Sequence, residues 1–317
     1  MKLQKSAESL LSKTRLWLRS FLTSSKREYL LDSLRQAQIA NDYLMSIWLQ
    51  GQREHPNPIL RHGKKYFSQA DEDGILLEVL RRAGLNSGTC VEIGCGNGTE
   101  NNTLNLLLRG WPCVWLDAGS LAFDARCNRD LLSFQSVFVD TRNVNEVVNR
   151  GLREIGAKSM TVLSIDVDGN DGYLAKSLLQ DGARPGVIII ETNELIPPPI
   201  KFAQEYASNH VWDRTKNSGW SLQSLADLFA DFGYSCVACN LETGVNAFFV
   251  RNEMLGGFSD VPGDLSLLYV GRSIHPQKFR NRRTQVTPDL VEALVRDRKS
   301  TRLNSSHVSE FRMPSSA

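Results

Sequence analysis

Apolar and polar positions along the chain repeat as short strands separated by helices. Dense apolar runs at Thr89–Ile93, Cys113–Leu116, Ser136–Val139, Met160–Ile165 and Val187–Ile190 have the length and β-branched content of strands buried on both faces. Between them, apolar residues fall three and four apart. Ile75, Leu76, Val79 and Leu80 predict one helix, and Tyr173, Leu174, Leu178 and Leu179 another; further helices are expected at about Asn102–Arg109, Asn143–Ile155 and Ser221–Phe232. Gly84, Gly110 and Gly233 punctuate the ends of three of them. The last two runs, Ser235–Asn240 and Val245–Val250, flank Glu242-Thr-Gly244 as a hairpin. This alternation predicts an α/β fold: a doubly wound, Rossmann-like, mostly parallel sheet with a terminal antiparallel hairpin.

Residues 1–55 predict an amphipathic helical extension. Leu10, Leu11, Trp17, Leu18, Phe21 and Leu22 share one face, and Leu30, Leu34, Ala37, Leu44, Ile47 and Trp48 another. Lys and Arg outnumber acids in its first turns. Two readings stay open: a basic face lying on an anionic membrane surface, or a helical extension packed on its own domain or on a second subunit. His55-Pro-Asn-Pro58 is a linker signal, which places the main domain at 60–280 and a tail at 281–317.

Composition narrows the picture. The 317 residues, 41% hydrophobic, suffice for one sizeable domain plus appendages. No apolar run approaches the ~20 residues that cross a bilayer, and the N-terminus lacks the core and cleavage site of a secretory signal. The six cysteines lie mostly in predicted buried strands or beside a glycine turn, so a cytoplasmic protein is expected, with a peripheral position at an inner membrane if the extension binds lipid. Residues 297–317 resemble an in-frame translation of a sequencing adapter rather than a natural Ser-rich tail, so the true C-terminus is expected to be missing. The formal charge is +2; without the four basic and two acidic residues of that segment the chain is neutral, which points away from nucleic acid.

Thr89–Thr103 carries the densest chemistry. An apolar run ends at Ile93, and Gly94, Gly96 and Gly98 alternate before a Leu-rich helical segment: a buried strand, a tight turn and a helix. A dinucleotide site would want its third glycine at 99, where Thr99 stands, so a nicotinamide-dependent oxidoreductase is disfavoured. The spacing suits a nucleoside-type ligand without pyrophosphate, of which S-adenosylmethionine (SAM) is the commonest. Asp117, 19 residues beyond Gly98 at the end of the next strand, can accept hydrogen bonds from both ribose hydroxyls.

A second acidic stretch, Asp166-Val-Asp-Gly-Asn-Asp-Gly172, follows strand four, and Glu191-Thr-Asn193 follows strand five. Asp168, Glu191 and Asn193 are the candidate ligands of one Mg²⁺, within a set that includes Asp166 and Asp171; the alternative is that these groups cap helices and fix loops. A calcium loop is excluded by Asp171 at its sixth position and Ser177 at its twelfth. Cys236-Val-Ala-Cys239 lacks a second ligand pair and reads as core strand. His210, near Tyr206, Asp213 and Lys216, is the candidate histidine base.

Five pieces, Ser68-Gln69…Glu72-Asp73-Gly74, Val91-Glu-Ile-Gly94, Ser164-Ile-Asp-Val-Asp-Gly-Asn170, Ile190-Glu-Thr-Asn193 and Val245-Asn-Ala-Phe-Phe249, resemble those of FkbM-like methyltransferases and their bacterial relatives in order and spacing, over roughly residues 64–252. Ser164 and Asp168 depart from the Lys-Ile-Asp-Val-Glu-Gly that many relatives carry. The resemblance implies a class I, SAM-dependent methyltransferase whose usual sheet ends in an antiparallel hairpin. It implies that Glu92, Gly94, Gly96 and Asp117 hold the cofactor, with Gly98 in the same turn, Asp140 near the adenine and Asp166 near the methionine amino group or the acceptor. Asp166, Asp168 and His210 are then the candidate catalytic groups, and the expected reaction is O-methylation of a sugar, glycan-related or other small hydroxyl. The alternative is a binding or scaffold protein that kept the fold and lost turnover.

Overall fold

A computed structural model of the chain describes residues 24–128, 130–212 and 218–271, with 288–289, 291–292 and 295–296 near the C-terminus. The apolar face expected at Leu10–Leu22, the residues Asp213 and Lys216, and the adapter-like segment 297–317 lie outside the described residues. The chain divides into two compact units, Met1–Gly51 and Gln52–Ala317. The first is described by α1 (Ser24–Glu54), a 31-residue helix along which Leu30, Leu34, Ile39 and Leu44 are exposed. Among the described residues, no helix is long and apolar enough to cross a membrane.

The second unit is the expected α/β fold. Seven strands, β1 (Cys90–Ile93), β2 (Cys113–Asp117), β3 (Leu132–Ser136), β4 (Val162–Ile165), β5 (Val187–Glu191), β6 (Tyr234–Cys239) and β7 (Asn246–Arg251), form one sheet in the order β3-β2-β1-β4-β5-β7-β6. Strands β1 to β5 run parallel, and β7 runs antiparallel to both β5 and β6. Cys90, Val91, Val114, Trp115 and Val187–Ile190 have no exposed surface, because helices cover both faces of the parallel strands. These helices are α2 (Glu72–Arg82), α3 (Leu104–Leu108), α4 (Val144–Glu154), α5 (Asp171–Gln180) and α6 (Leu222–Ala230), with a short α7 (Leu265–Leu268) after the sheet. The chain lays β2 and β3 on one side of β1 and returns to place β4 on the other, so the carboxyl ends of β1 and β4 border the crevice where such sheets bind ligands.

One expected element moved and another is shorter. The third strand is Leu132–Ser136, not Ser136–Val139. Its polar residues are satisfied by α4: Ser133 Oγ donates to Glu154, and Gln135 donates to the Val147 carbonyl and accepts from Arg150. Strand pairing therefore overrides a pattern that reads as loop. The helix after the glycine turn is Leu104–Leu108, within the expected Asn102–Arg109, and the Asn102 and Thr103 amides just before it donate to the Glu92 carboxylate.

The acids at the start of α2 do more than complement its dipole. Asp71, Glu72 and Asp73 are all buried. One oxygen of Asp73 accepts from the amides of Tyr66, Phe67 and Ser68 at 2.6–2.8 Å and from the Ser68 hydroxyl. Glu72 accepts from the Ala70 amide, Asn240 and Asn246. Asp71 accepts from the amides of Leu241 and Glu242. The segment before the first strand is thereby tied to the turn joining the last two.

Burial, reinforced by the neighbouring Asp71 charge, pushes the Glu72 carboxyl from 4.5 up to about 7. The folded state then holds this proton more tightly than the unfolded chain. Its stabilising effect is complete below about pH 4.5 and is lost as pH rises to about 7, by up to about 3 kcal/mol. Denaturant unfolding at pH 5 and pH 7.5 should show a smaller stability loss in Glu72→Gln than in the wild type; equal losses would place the titration elsewhere.

Candidate active site

At the end of β1 the backbone enters the turn through Gly94, whose φ is +87°. A Cβ there would lie 1.7 Å from the Asp166 carbonyl oxygen, so the first glycine lets the ends of β1 and β4 pass in contact. Gly96, with φ +57°, faces open space: nothing lies within 4 Å of the position its Cβ would take. Its amide donates to Asp117 Oδ2 at 2.8 Å, and the Gly119 amide donates to Asp117 Oδ1 at 2.7 Å. The turn and the acid read from the sequence are thus in direct contact. Gly98 serves packing instead, since a Cβ there would meet Leu121, Phe123 and Trp115 at 2.7–3.2 Å.

Glu92 is 2% exposed, and both its oxygens are taken. Oε1 accepts from the Asn102 amide, while Oε2 accepts from the Thr103 amide, the Thr103 hydroxyl and Asn101 Nδ2. The Thr103 hydroxyl in turn accepts from Trp115 Nε1 at 2.7 Å. Burial pushes the carboxyl up and these donors oppose it. Glu92 therefore clamps the far side of the glycine turn, and its remaining surface faces the crevice.

Two adjoining hollows open there. One, of about 240 Å³, is polar and is lined by Gln69, Glu92, Asn97, Glu100, Asn101 and Asn246 among others. The second, of about 340 Å³, has an apolar wall of Ile93, Leu116, Val137, Phe138 and Val139 facing Asp117, Asp166, Asp168, Asn170 and His210. Gln69, Gly94, Gly96 and Asp166 border both. Gln69 and Asn246 stand in motif pieces recognisable in the sequence, but nothing in a linear pattern assigns them a role. The Val137–Val139 wall was hidden by the misplaced third strand.

The acids of the second stretch divide by their partners. Asp171 accepts from the amides of Val167 and Gly169 at 2.8 Å each, fixing the loop, and burial pushes it up to about 6. Asp166, Asp168 and Glu191 instead bring one carboxylate oxygen each within 4.8 Å of one another. Burial, with repulsion from Asp171, Asp168 and other neighbouring acids, pushes Asp166 and Glu191 well above the usual range. Asp168, at φ +59°, is raised by burial and lowered by His210.

Three further candidate residues have the following surroundings. The side-chain amide of Asn193 donates to the Ser218 carbonyl and its Oδ1 accepts from the Leu195 amide, so it holds the loop after β5. Asp140 lines neither hollow. It lies beyond β3 in the turn before α4, accepts from the Arg142 and Asn143 amides, and is held below its ordinary pKa by the Arg142 guanidinium. His210 does line the larger hollow, with Nε2 3.1 Å from the Asp168 carbonyl oxygen. A carbonyl only accepts, so Nε2 carries the proton and Nδ1 is the nitrogen able to take one up.

The two front glycines should respond differently to a methyl group. Gly94→Ala must displace the Asp166 backbone and should cost more than about 3 kcal/mol, whereas Gly96→Ala adds only a positive-φ penalty of roughly 1 kcal/mol. Denaturant unfolding of both variants measures the difference, and equal costs would contradict the contact at Gly94.

No family model matches the chain, and no curated protein matches it. Among solved structures it is similar to a candidate hemolysin from Lactococcus lactis, at 13% identity and TM-score 0.36, covering 56% of this chain and 85% of that one. It is also similar to an O-methyltransferase family protein from Burkholderia thailandensis, at 14% identity and TM-score 0.32, covering 67% and 70%. A third is an O-methyltransferase family 2 protein from Planctomyces limnophilus DSM 3776 in complex with apigenin, at 10% identity and TM-score 0.28, covering 64% and 67%. Two of these three are O-methyltransferase family proteins, while the fold assignment of this chain stands on its own sheet order.

Proposed function

We propose that the chain is an FkbM-like, SAM-dependent methyltransferase acting on a hydroxyl of a sugar, a glycan-related molecule or another small acceptor. One observation carries the reading: the Gly96 amide rests on Asp117 over an open hollow at the carboxyl ends of β1, β2 and β4. The terminal antiparallel hairpin of class I methyltransferases supports it, as do the sequence pieces shared with FkbM-like proteins.

The residues present fit an adenosyl ligand. Asp117 gives one lone pair on each oxygen to a backbone amide and keeps others for ribose hydroxyls. Val137, Phe138 and Val139 offer the apolar wall suited to an adenine, a role that Asp140 does not take. Asp166, bordering both hollows, is placed to face an ammonium, whose charge would favour the ionised carboxylate. When bound, the cofactor supplies a methyl group made electrophilic by its sulfonium. The chain's part is to hold an acceptor in line with that methyl and to receive the hydroxyl proton, for which His210 Nδ1 is the available nitrogen.

Calorimetric titration with SAM should show saturable binding. Asp117→Ala should weaken it by about 1–3 kcal/mol, whereas Asp140→Ala should leave it within about twofold. No binding by the folded wild type would favour a scaffold that kept the fold; unchanged affinity in Asp117→Ala would displace the ribose from this acid.

A further inference from the structure

The long helix α1 plays no part in the site at the crevice. In sequence, Leu30, Leu34, Ala37, Asn41, Leu44 and Trp48 follow one another at alternating steps of four and three residues. That spacing keeps residues on one narrow stripe of a helix, the seam along which helices pair, and a single Asn in such a seam is a signature of two paired helices. Leu31 and Ile47 flank the stripe on either side and widen it with apolar surface.

Most of this band is open to water. Leu30, Leu31, Leu34, Leu44 and Ile47 are 41–60% exposed, and Ala37 is exposed between them. An amphipathic helix draws most of its stability from packing such a face, so these aliphatic groups in water carry a cost that a partner removes. Ile39 and Tyr43 are exposed too, but helical rotation places them on the opposite side, outside the band.

Charge and size decide the partner. The helix carries four basic and four acidic residues, so it lacks the excess of Lys and Arg that draws a surface helix onto anionic lipid. Between Leu30 and Trp48 its charged residues are Asp32, Arg35 and Asp42, all on the side away from the band, and Asp32 pairs with Arg35 at 3.5 Å. Two copies can therefore close along the band without burying a charge or opposing like charges. That closure covers on the order of 1,000 Å² over both chains, the size at which a specific interface begins. We infer that α1 pairs with the α1 of a second copy of this chain along the band from Leu30 to Ile47, each copy offering the same face to the other. The pairing does not depend on the methyltransferase reading.

Sedimentation of the full chain over a series of concentrations tests the pairing. The wild type is expected as a concentration-dependent dimer. Leu34→Asp sets a charge on the band of both copies and should weaken association at least tenfold, while Ile39→Asp on the far side should leave it within about twofold. Thermal unfolding followed by circular dichroism shows whether each variant keeps the wild-type fold. A dimer that folded Leu34→Asp leaves intact would overturn the pairing by placing the contact elsewhere. A monomeric wild type would also overturn it. The band then belongs to the chain's own domain if Leu34→Asp lowers the melting temperature. It belongs to a lipid surface if the wild type floats with phosphatidylcholine–phosphatidylserine vesicles and Leu34→Asp does not. Calorimetry with SAM on the same samples tests the methyltransferase reading separately, so either proposal can fail without the other.

Discussion

A carboxylate at the buried end of a central strand must be surrounded by donors, and Glu92 draws its donors from Asn101, Asn102 and Thr103. Those donors hold the chain back over β1 just before the helix Leu104–Leu108. The bend leaves the glycine turn projecting above the sheet, where Gly96 can rest on Asp117 at the end of β2. On the other side, Gly94 lets Asp166 at the end of β4 come into backbone contact. The glycine turn that borders the crevice is therefore held in place by the donors of one buried carboxyl.

The remaining acids sort by the same rule. Asp71, Glu72 and Asp73 are surrounded by amides and side-chain donors, and they join the segment before β1 to the turn between β6 and β7. Asp171 holds its own loop. Asp140 is paired with Arg142. Among the acids lining the larger hollow, Asp117 retains accepting capacity, while Asp166 and Asp168, with Glu191 close beside them, have no hydrogen-bond donor among the described residues. Unbalanced charge in a concave site is the ordinary mark of a group awaiting a ligand, and here it separates acids that build the fold from acids available for chemistry.

Much of this was legible without coordinates. Strands buried on both faces read as continuous apolar runs, so β1, β2, β4, β5 and the hairpin fall close to where the pattern placed them. The three glycines and Asp117 were visible because a turn without side chains and an acid at a fixed interval are local signals. The edge strand was not visible: Ser133 and Gln135 look like loop residues until α4 supplies their partners.

By itself the sequence determined the α/β order of elements, the site of the turn and the stock of acids near it, because periodicity and spacing are properties of neighbouring residues. Only the tertiary structure decided what each acid does. Glu92 became a clamp, Asn193 a loop tie and Asp140 half of an ion pair, while Asp166 joined Asp168 and Glu191. The physical reason is that a carboxylate's role depends on which donors surround it, and those donors come from strands and loops far apart along the chain.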